Sequence, residues 1–189
     1  MSKLRRTLKI WLPWAARGVT LLLLITSGIQ QGLRQSANSP QIQMANDAAA
    51  QLTKGAEPST LIPAQSVDLA TSLAPWLSVT DESGNLLASS AHLGGITPRP
   101  PLSSLTYTTT HSDNRITWQP QPGVRQATVI THYGGSKPGY VIAGRSLREV
   151  EKRESTLNLM ALLGSLSLLA IAFLVIFFTC VKPMHKEKE

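Results

Sequence analysis

Residues 157–181 read LNLMALLGSLSLLAIAFLVIFFTCV, and from Leu157 to Val181 there is no charged side chain in 25 positions. As a helix this stretch reaches roughly 37 Å at 1.5 Å per residue, enough for a bilayer hydrocarbon core of about 30 Å. The rest of a 189-residue chain is too small to enclose it on every side, so the expectation is a membrane span and not a core helix. The mean hydropathy of +0.01 then describes two apolar segments joined to a polar middle, not an average globular chain.

The N-terminal segment is the second apolar stretch. Lys3, Arg5, Arg6 and Lys9 precede Trp11-Leu12-Pro13-Trp14 and Arg17, and only 12 residues, Gly18 to Ile29, run uninterrupted before Gln30-Gln31. A basic start and a short apolar core also describe a cleavable signal peptide. Ser27-Gly28-Ile29 and Ser36-Ala37-Asn38 match a small-residue cleavage site poorly, which favours an uncleaved signal anchor over 11–31. In that reading Trp11 and Trp14 sit in the interfacial belt and Arg17 snorkels to the cytoplasmic headgroups.

Charge placement sets the orientation. Of the net +7, five charges lie before residue 30, one is the balance of ten basic and nine acidic residues over 30–156, and one belongs to the tail 182–189. The positive-inside rule puts both ends in the cytoplasm. The expected layout is a cytoplasmic N-terminus (1–10), a first span (11–31), an extracytoplasmic domain (32–156), a second span (157–181) and a cytoplasmic tail (182–189). The pI near 9.9 is then a topology label, and nucleic-acid binding does not follow from it. Aromatics at 5% give little surface for base stacking.

Between the spans, 30–54 reads as an outgoing helix, with Ser39-Pro40 placed to cap and restart it. A second short helix is expected over 61–73. Trp76 to Thr80 and Leu86 to Ser89 form a hairpin around Asp81-Glu82-Ser83-Gly84-Asn85. Residues 91–113 are irregular. Three strands follow, over 115–119, 125–133 and 140–145, separated by Pro- and Gly-rich turns and therefore antiparallel. In the second of these Ala127, Val129, Thr131 and Tyr133 face one way and Thr128, Ile130 and His132 the other. Neither set is fully polar, so the sheet is expected to be covered on both sides. Ser146-Leu147-Arg148-Glu149 is a capping box, and the helix it opens is expected to continue into the second span.

The hairpin Trp76–Ser90 carries the pattern apolar strand, Asp-x-x-Gly-x, apolar strand, and Tyr140 to Glu151 looks like a closing strand and helix. On these residues the middle of the chain resembles the extracytoplasmic PAS-like (single Cache) sensor regions of bacterial two-span receptors and sensor histidine kinases. The likeness implies an α+β fold: a five-stranded antiparallel sheet with a long N-terminal helix, flanked by two transmembrane helices. Lys182-Pro183-Met184 resembles the start of a HAMP linker, but the output domain such receptors carry does not follow. The likeness implies a ligand pocket on the sheet face covered by the insert, with Tyr107, Trp118, His132 and Arg145 as candidate contacts. An aromatic wall with one cation would suit a small carboxylate. Signals would leave through the helix holding Ser146, Glu149 and Leu157.

Other chemistry is not indicated. His92, His111, His132 and His185 lack helical spacing from one another and a carboxylate cluster, so neither a metal nor a cofactor is expected. One cysteine, Cys180, excludes an intramolecular disulfide framework. No nucleophile elbow, P-loop or zinc-protease motif occurs, and a non-enzymatic role is expected. Ala161 and Ser165 fit a small-xxx-small pattern that would let a second copy approach. The leading expectation is a bacterial inner-membrane sensory protein binding a ligand or partner outside. It would signal to a separate output protein such as a kinase, with the lipid bilayer and a homodimer as further partners. The alternatives are a structural or assembly subunit with a docking domain, and a secreted enzyme with a cleaved signal.

Overall fold

The computed structural model describes residues 3–179. The expectations for Cys180, Val181, His185 and the tail 182–189 lie outside the described residues. The chain forms two compact units, one spanning Leu33–Lys152 and the other combining the stretches up to Gly32 and from Arg153.

Helix α1 runs Lys3–Thr53. It passes through Ser39-Pro40 without the restart the sequence suggested. Proline inside a helix forfeits one backbone hydrogen bond. Here the helix beyond it is held by packing, because Gln41, Ala45, Ala48, Ala49 and Leu52 form a buried stripe at helical spacing. A Schellman closure ends the helix: the Gly55 N–H donates to the Leu52 carbonyl (2.8 Å) and the Ala56 N–H to the Gln51 carbonyl (3.1 Å).

The region expected to hold a second helix over 61–73 does not. Helix α2 is one turn, Pro58–Leu61, and strand β1, Val67–Asp68, pairs in parallel with β4, Ala91–His92. Gln126 and Arg148 claim the backbone carbonyls of 69–71, which holds this segment extended and then turned. Strands β2 (Trp76–Asp81) and β3 (Leu86–Ser89) form the expected hairpin. The insert then supplies α3 (Leu102–Thr106) and a single 3-10 turn over 107–109. Strands β5 (Asn114–Gln121), β6 (Val124–Tyr133) and β7 (Gly139–Ser146) complete an antiparallel sheet of order β3-β2-β7-β6-β5. The expected five-stranded α+β architecture is therefore present.

Period-2 alternation sends the side chains to two cores. On one face Leu77, Val79, Val129, Tyr133, Val141 and Ala143 pack against the alanine stripe of α1. On the other Trp76, Trp118, Ile130, Tyr140 and Ile142 pack under a cover made of Val67 and Leu69, which precede β2, and of Ala91 and Leu105 of the insert.

Helix α4 runs Arg148–Thr179. The capping box does not form as expected. The Leu147 N–H donates to the Arg125 carbonyl (2.9 Å), which prolongs the ladder by one residue. The Ser146 hydroxyl then accepts the N–H of Arg148 (3.3 Å), not that of Glu149. Two helical segments, Leu4–Gly32 and Arg148–Thr179, are long and apolar enough to cross a membrane. In their unit the helices run antiparallel. The Gln30 amide donates to Asn158 Oδ1 (2.7 Å) near one end, and the Trp11 indole N–H donates to the Leu169 carbonyl (3.1 Å) nearer the other. Leu21, Leu23, Leu24, Leu162, Leu168 and Phe178 are exposed, a surface suited to lipid and costly in water.

Candidate functional site

The insert-covered face is where the sequence placed a ligand, and its cross-strand register can be followed residue by residue. Thr80, Tyr140 and His132 stand in one row across β2, β7 and β6; Trp76, Gly144, Thr128 and Ile116 stand in another that reaches β5. Gln126 pairs with Trp118 one step beyond.

Trp118 and His132 lie on this face. Trp118 is buried, its ring 6.0 Å from that of Trp76. His132 lies against Tyr140 (5.4 Å). The two belong to opposite ends of the sheet: Gln126, the partner of Trp118, is six residues from His132, roughly 20 Å along a strand. Tyr107 is exposed and stacks on His111 (3.9 Å). Arg145 is exposed and shares the phase of Ala143, which packs toward α1, on the opposite face. The four expected contacts therefore do not converge. The aromatic wall with one cation is not assembled, because strand alternation turns Arg145 away from Trp118 and His132.

The face has another polar set. Among the described residues the hydroxyls of Thr80 and Thr128, both fully buried, have no hydrogen-bond partner, nor does His132 Nε2. Glu82 Oε1 is 3.6 Å from that nitrogen, too far for a hydrogen bond. Buried polar atoms are normally paired, and leaving one unpaired costs about 1–3 kcal/mol. The sequence held a signal for Thr128 in its inward phase beside His132. For Thr80 the signal was weaker, because threonine is an ordinary strand residue.

A second network ties the cover down. The Trp76 indole N–H donates to Gln126 Oε1 (3.1 Å), and Gln126 Nε2 donates to the Leu69 carbonyl (3.1 Å). Arg148, the first residue of α4, donates to the carbonyls of Ala70 (3.1 Å) and Thr71 (2.6 Å). The carboxylate of Asp68 accepts from the Ala70 N–H and the Thr71 hydroxyl. The Ala70 bond chiefly holds its pKa below the usual value, with Thr71 and His92 adding to it against desolvation. Arg125 pairs with Glu151 on the same first turns of α4. Arg148 and Glu151 therefore fasten this helix to the sheet and the cover. Of the residues expected to carry the signal, Ser146 contributes one bond to the Arg148 N–H, Glu149 lies in the first turn, and Leu157 is exposed.

A separate cleft of about 310 Å³ opens on the α1 side, lined by Leu52, Glu57, Leu87, Tyr133 and Lys137 among others. Burial raises the Tyr133 pKa, with the Asp81 charge adding to it. Tyr140, on the insert face, is raised by burial and by Glu82. Among the described residues no group of three or more His, Cys, Asp or Glu is placed to hold a metal ion. Comparison with protein-family models and with curated proteins gave no match.

Proposed function

We propose that the chain is a two-span protein of a bacterial inner membrane with both ends in the cytoplasm. Its sheet unit binds a small polar ligand outside on the insert-covered face, and α4 passes the response to a separate membrane output protein. One observation carries this reading. The insert-covered face keeps the hydroxyls of Thr80 and Thr128 and the His132 Nε2 buried and unpaired, under a cover whose carbonyls are gripped by the first residue of α4. A ligand that engages the Thr128 hydroxyl, one step from Gln126 and its bond to the Leu69 carbonyl, and displaces the cover acts directly on Arg148. The five-stranded antiparallel sheet and long first helix agree with the resemblance to PAS-like sensor regions. The apolar segments and the basic N-terminus support the topology.

The test is thermal unfolding of the full chain in nanodiscs against a panel of small polar metabolites. A stabilising compound is expected, and its effect disappears in Thr128→Val. A panel without any stabilising compound turns the assignment toward a docking or assembly subunit. Reporter fusions near Gly95 and at Glu189 check the topology separately, and a cytoplasmic signal near Gly95 overturns it.

A further inference from the structure

We propose that Arg17 is an intramembrane docking residue that pairs with a carboxylate on a transmembrane helix of another protein. The proposal rests on the two-span reading above and names the kind of output partner that reading requires.

The depth of Arg17 follows from the helix pair. Gly18 and Val19, the next residues along α1, line the same cleft as Leu168 and Leu169 of α4. Leu169 is 12 residues from Leu157 and 12 from Val181, the middle of the charge-free stretch. The hydrogen bond from Gln30 to Asn158 marks the outer end, about 16 Å from Val19 along the helix. In a core of about 30 Å centred on Val19 and Leu169, Arg17 lies about 12 Å from the inner edge. Arg17 Cζ is 5.5 Å from the Trp14 ring centroid, one turn toward the cytoplasm. The side chain reaches roughly 7 Å when it snorkels, so its charge stops about 5 Å short of the headgroup region.

The direction of Arg17 is equally specific. Trp11, Ala15, Leu22, Thr26 and Gln30 are the less exposed residues of this part of α1, and Trp11, Leu22, Thr26 and Gln30 meet or line the space facing α4. At 100° per residue Arg17 stands on the opposite side of the helix. That side also holds Thr20 and Leu24, both exposed. Among the described residues of this unit the only carboxylate is that of Glu154. It lies 15 residues along α4 from Leu169, about 22 Å from the mid-span and beyond the outer end of the core. Arginine stays protonated in any protein environment; the Trp14 ring meets part of that charge, and a carboxylate would meet the rest. A second copy brings another Arg17 to the same face and repels it. A carboxylate from a different chain satisfies both the charge and the guanidinium donors.

The experiment uses the full chain in cells, with a photo-crosslinking amino acid at Thr20 or at Leu24. The expected adduct is a membrane protein whose crosslinked helix carries Asp or Glu within a turn of the contact. Arg17→Leu lowers its yield about thirtyfold, while Arg17→Lys keeps most of it. Arg17→Glu restores the yield when the partner's acid is changed to Arg. Adducts to lipid alone, the absence of an adduct, or a yield unaffected by Arg17→Leu overturns the proposal. The two-span reading is checked independently with Arg17→Cys in a Cys180→Ser background. Labelling by a membrane-impermeant maleimide overturns the membrane reading itself. Shielding with no charge-dependent adduct overturns only the acidic partner.

Discussion

The two faces of the sheet are built from the same strands to different standards. The α1 face is filled by small and branched apolar side chains, with Ala45, Ala48 and Ala49 letting the helix lie close over Val79, Val129 and Val141. Gln41, whose buried amide is also unpaired among the described residues, belongs to the start of the α1 stripe and not to a strand. The insert face is filled by large aromatics and by threonines whose hydroxyls are unpaired. A sheet face selected for stability alone would resemble the first, since an apolar group of the same shape is at least as good as an unpaired hydroxyl. The strands of the second face therefore hold polarity that folding does not need, and the proposed ligand site draws on it.

The largest expected effects come from the glycines at which each face leaves no room for a side chain. A Cβ on Gly139 would fall 2.1 Å from the Thr80 carbonyl oxygen and 2.8 Å from the Tyr133 hydroxyl. One on Gly144 would fall 2.2 Å from the Trp76 ring. Gly139→Ala forces the backbone of two strands apart, and a loss of about 3 kcal/mol or more is expected. Gly144→Ala displaces a side chain and is expected to cost about 2 kcal/mol. It also breaks the Trp76–Gln126–Leu69 relay, so tryptophan emission shifts in Gly144→Ala and much less in Gly139→Ala. Thermal unfolding followed by fluorescence measures both, and equal emission shifts would mean the faces are not separable.

The next contrast compares one buried side chain from each face. Leu77→Ala on the α1 side is expected to cost about 3 kcal/mol through lost burial and an unfilled cavity. Thr128→Val on the insert side keeps the shape and removes an unpaired hydroxyl, so stability is expected to stay level or rise by up to about 1 kcal/mol. A loss above about 2 kcal/mol in Thr128→Val would show that the hydroxyl is paired in the folded protein and would remove the asymmetry between the faces.

Most of the strands were legible in the sequence because β-branched runs end at Gly and Pro turns. The two faces of β6 followed from its alternation, with Val129 and Tyr133 against α1 and Ile130 under the insert. What local pattern could not give was set by distant partners. Residues 61–73 carry apolar spacing that passes for a helix, yet Gln126 and Arg148 hold 69–71 from more than fifty positions away. The Ser39-Pro40 break was a sound local signal overridden by the packing of Gln41 to Leu52. The candidate contacts failed to converge for a similar reason. Residue type suggested Arg145, but only its phase in β7 shows that it points away from Trp118 and His132.

Acid offers the finest test of the comparison, because the turn at Asp68 lies in the cover and the turn after Asp81 meets the insert through Gly84, against Leu102 and Leu105. Asp81 accepts from the Asn85 side-chain amide (2.9 Å) and backbone N–H (2.7 Å). These bonds hold its pKa below the ordinary 3.8, as the Ala70 N–H does for Asp68. A carboxylate with a lowered folded pKa adds stability above its unfolded value and loses it as pH falls through the folded one. Both turns are therefore expected to loosen only below about pH 4. Amide exchange at 69–72 and 82–85 should then quicken while Val129 and Val141, beneath α1, stay protected. Asn85→Ala removes the first cause at Asp81, so the Asp81 titration moves up toward 3.8 and the acid response of the hairpin shrinks. Exchange rising at Val129 and Val141 together with the turns would show one cooperative unit, in which the 69–71 part of the cover has no opening motion of its own to pass to Arg148.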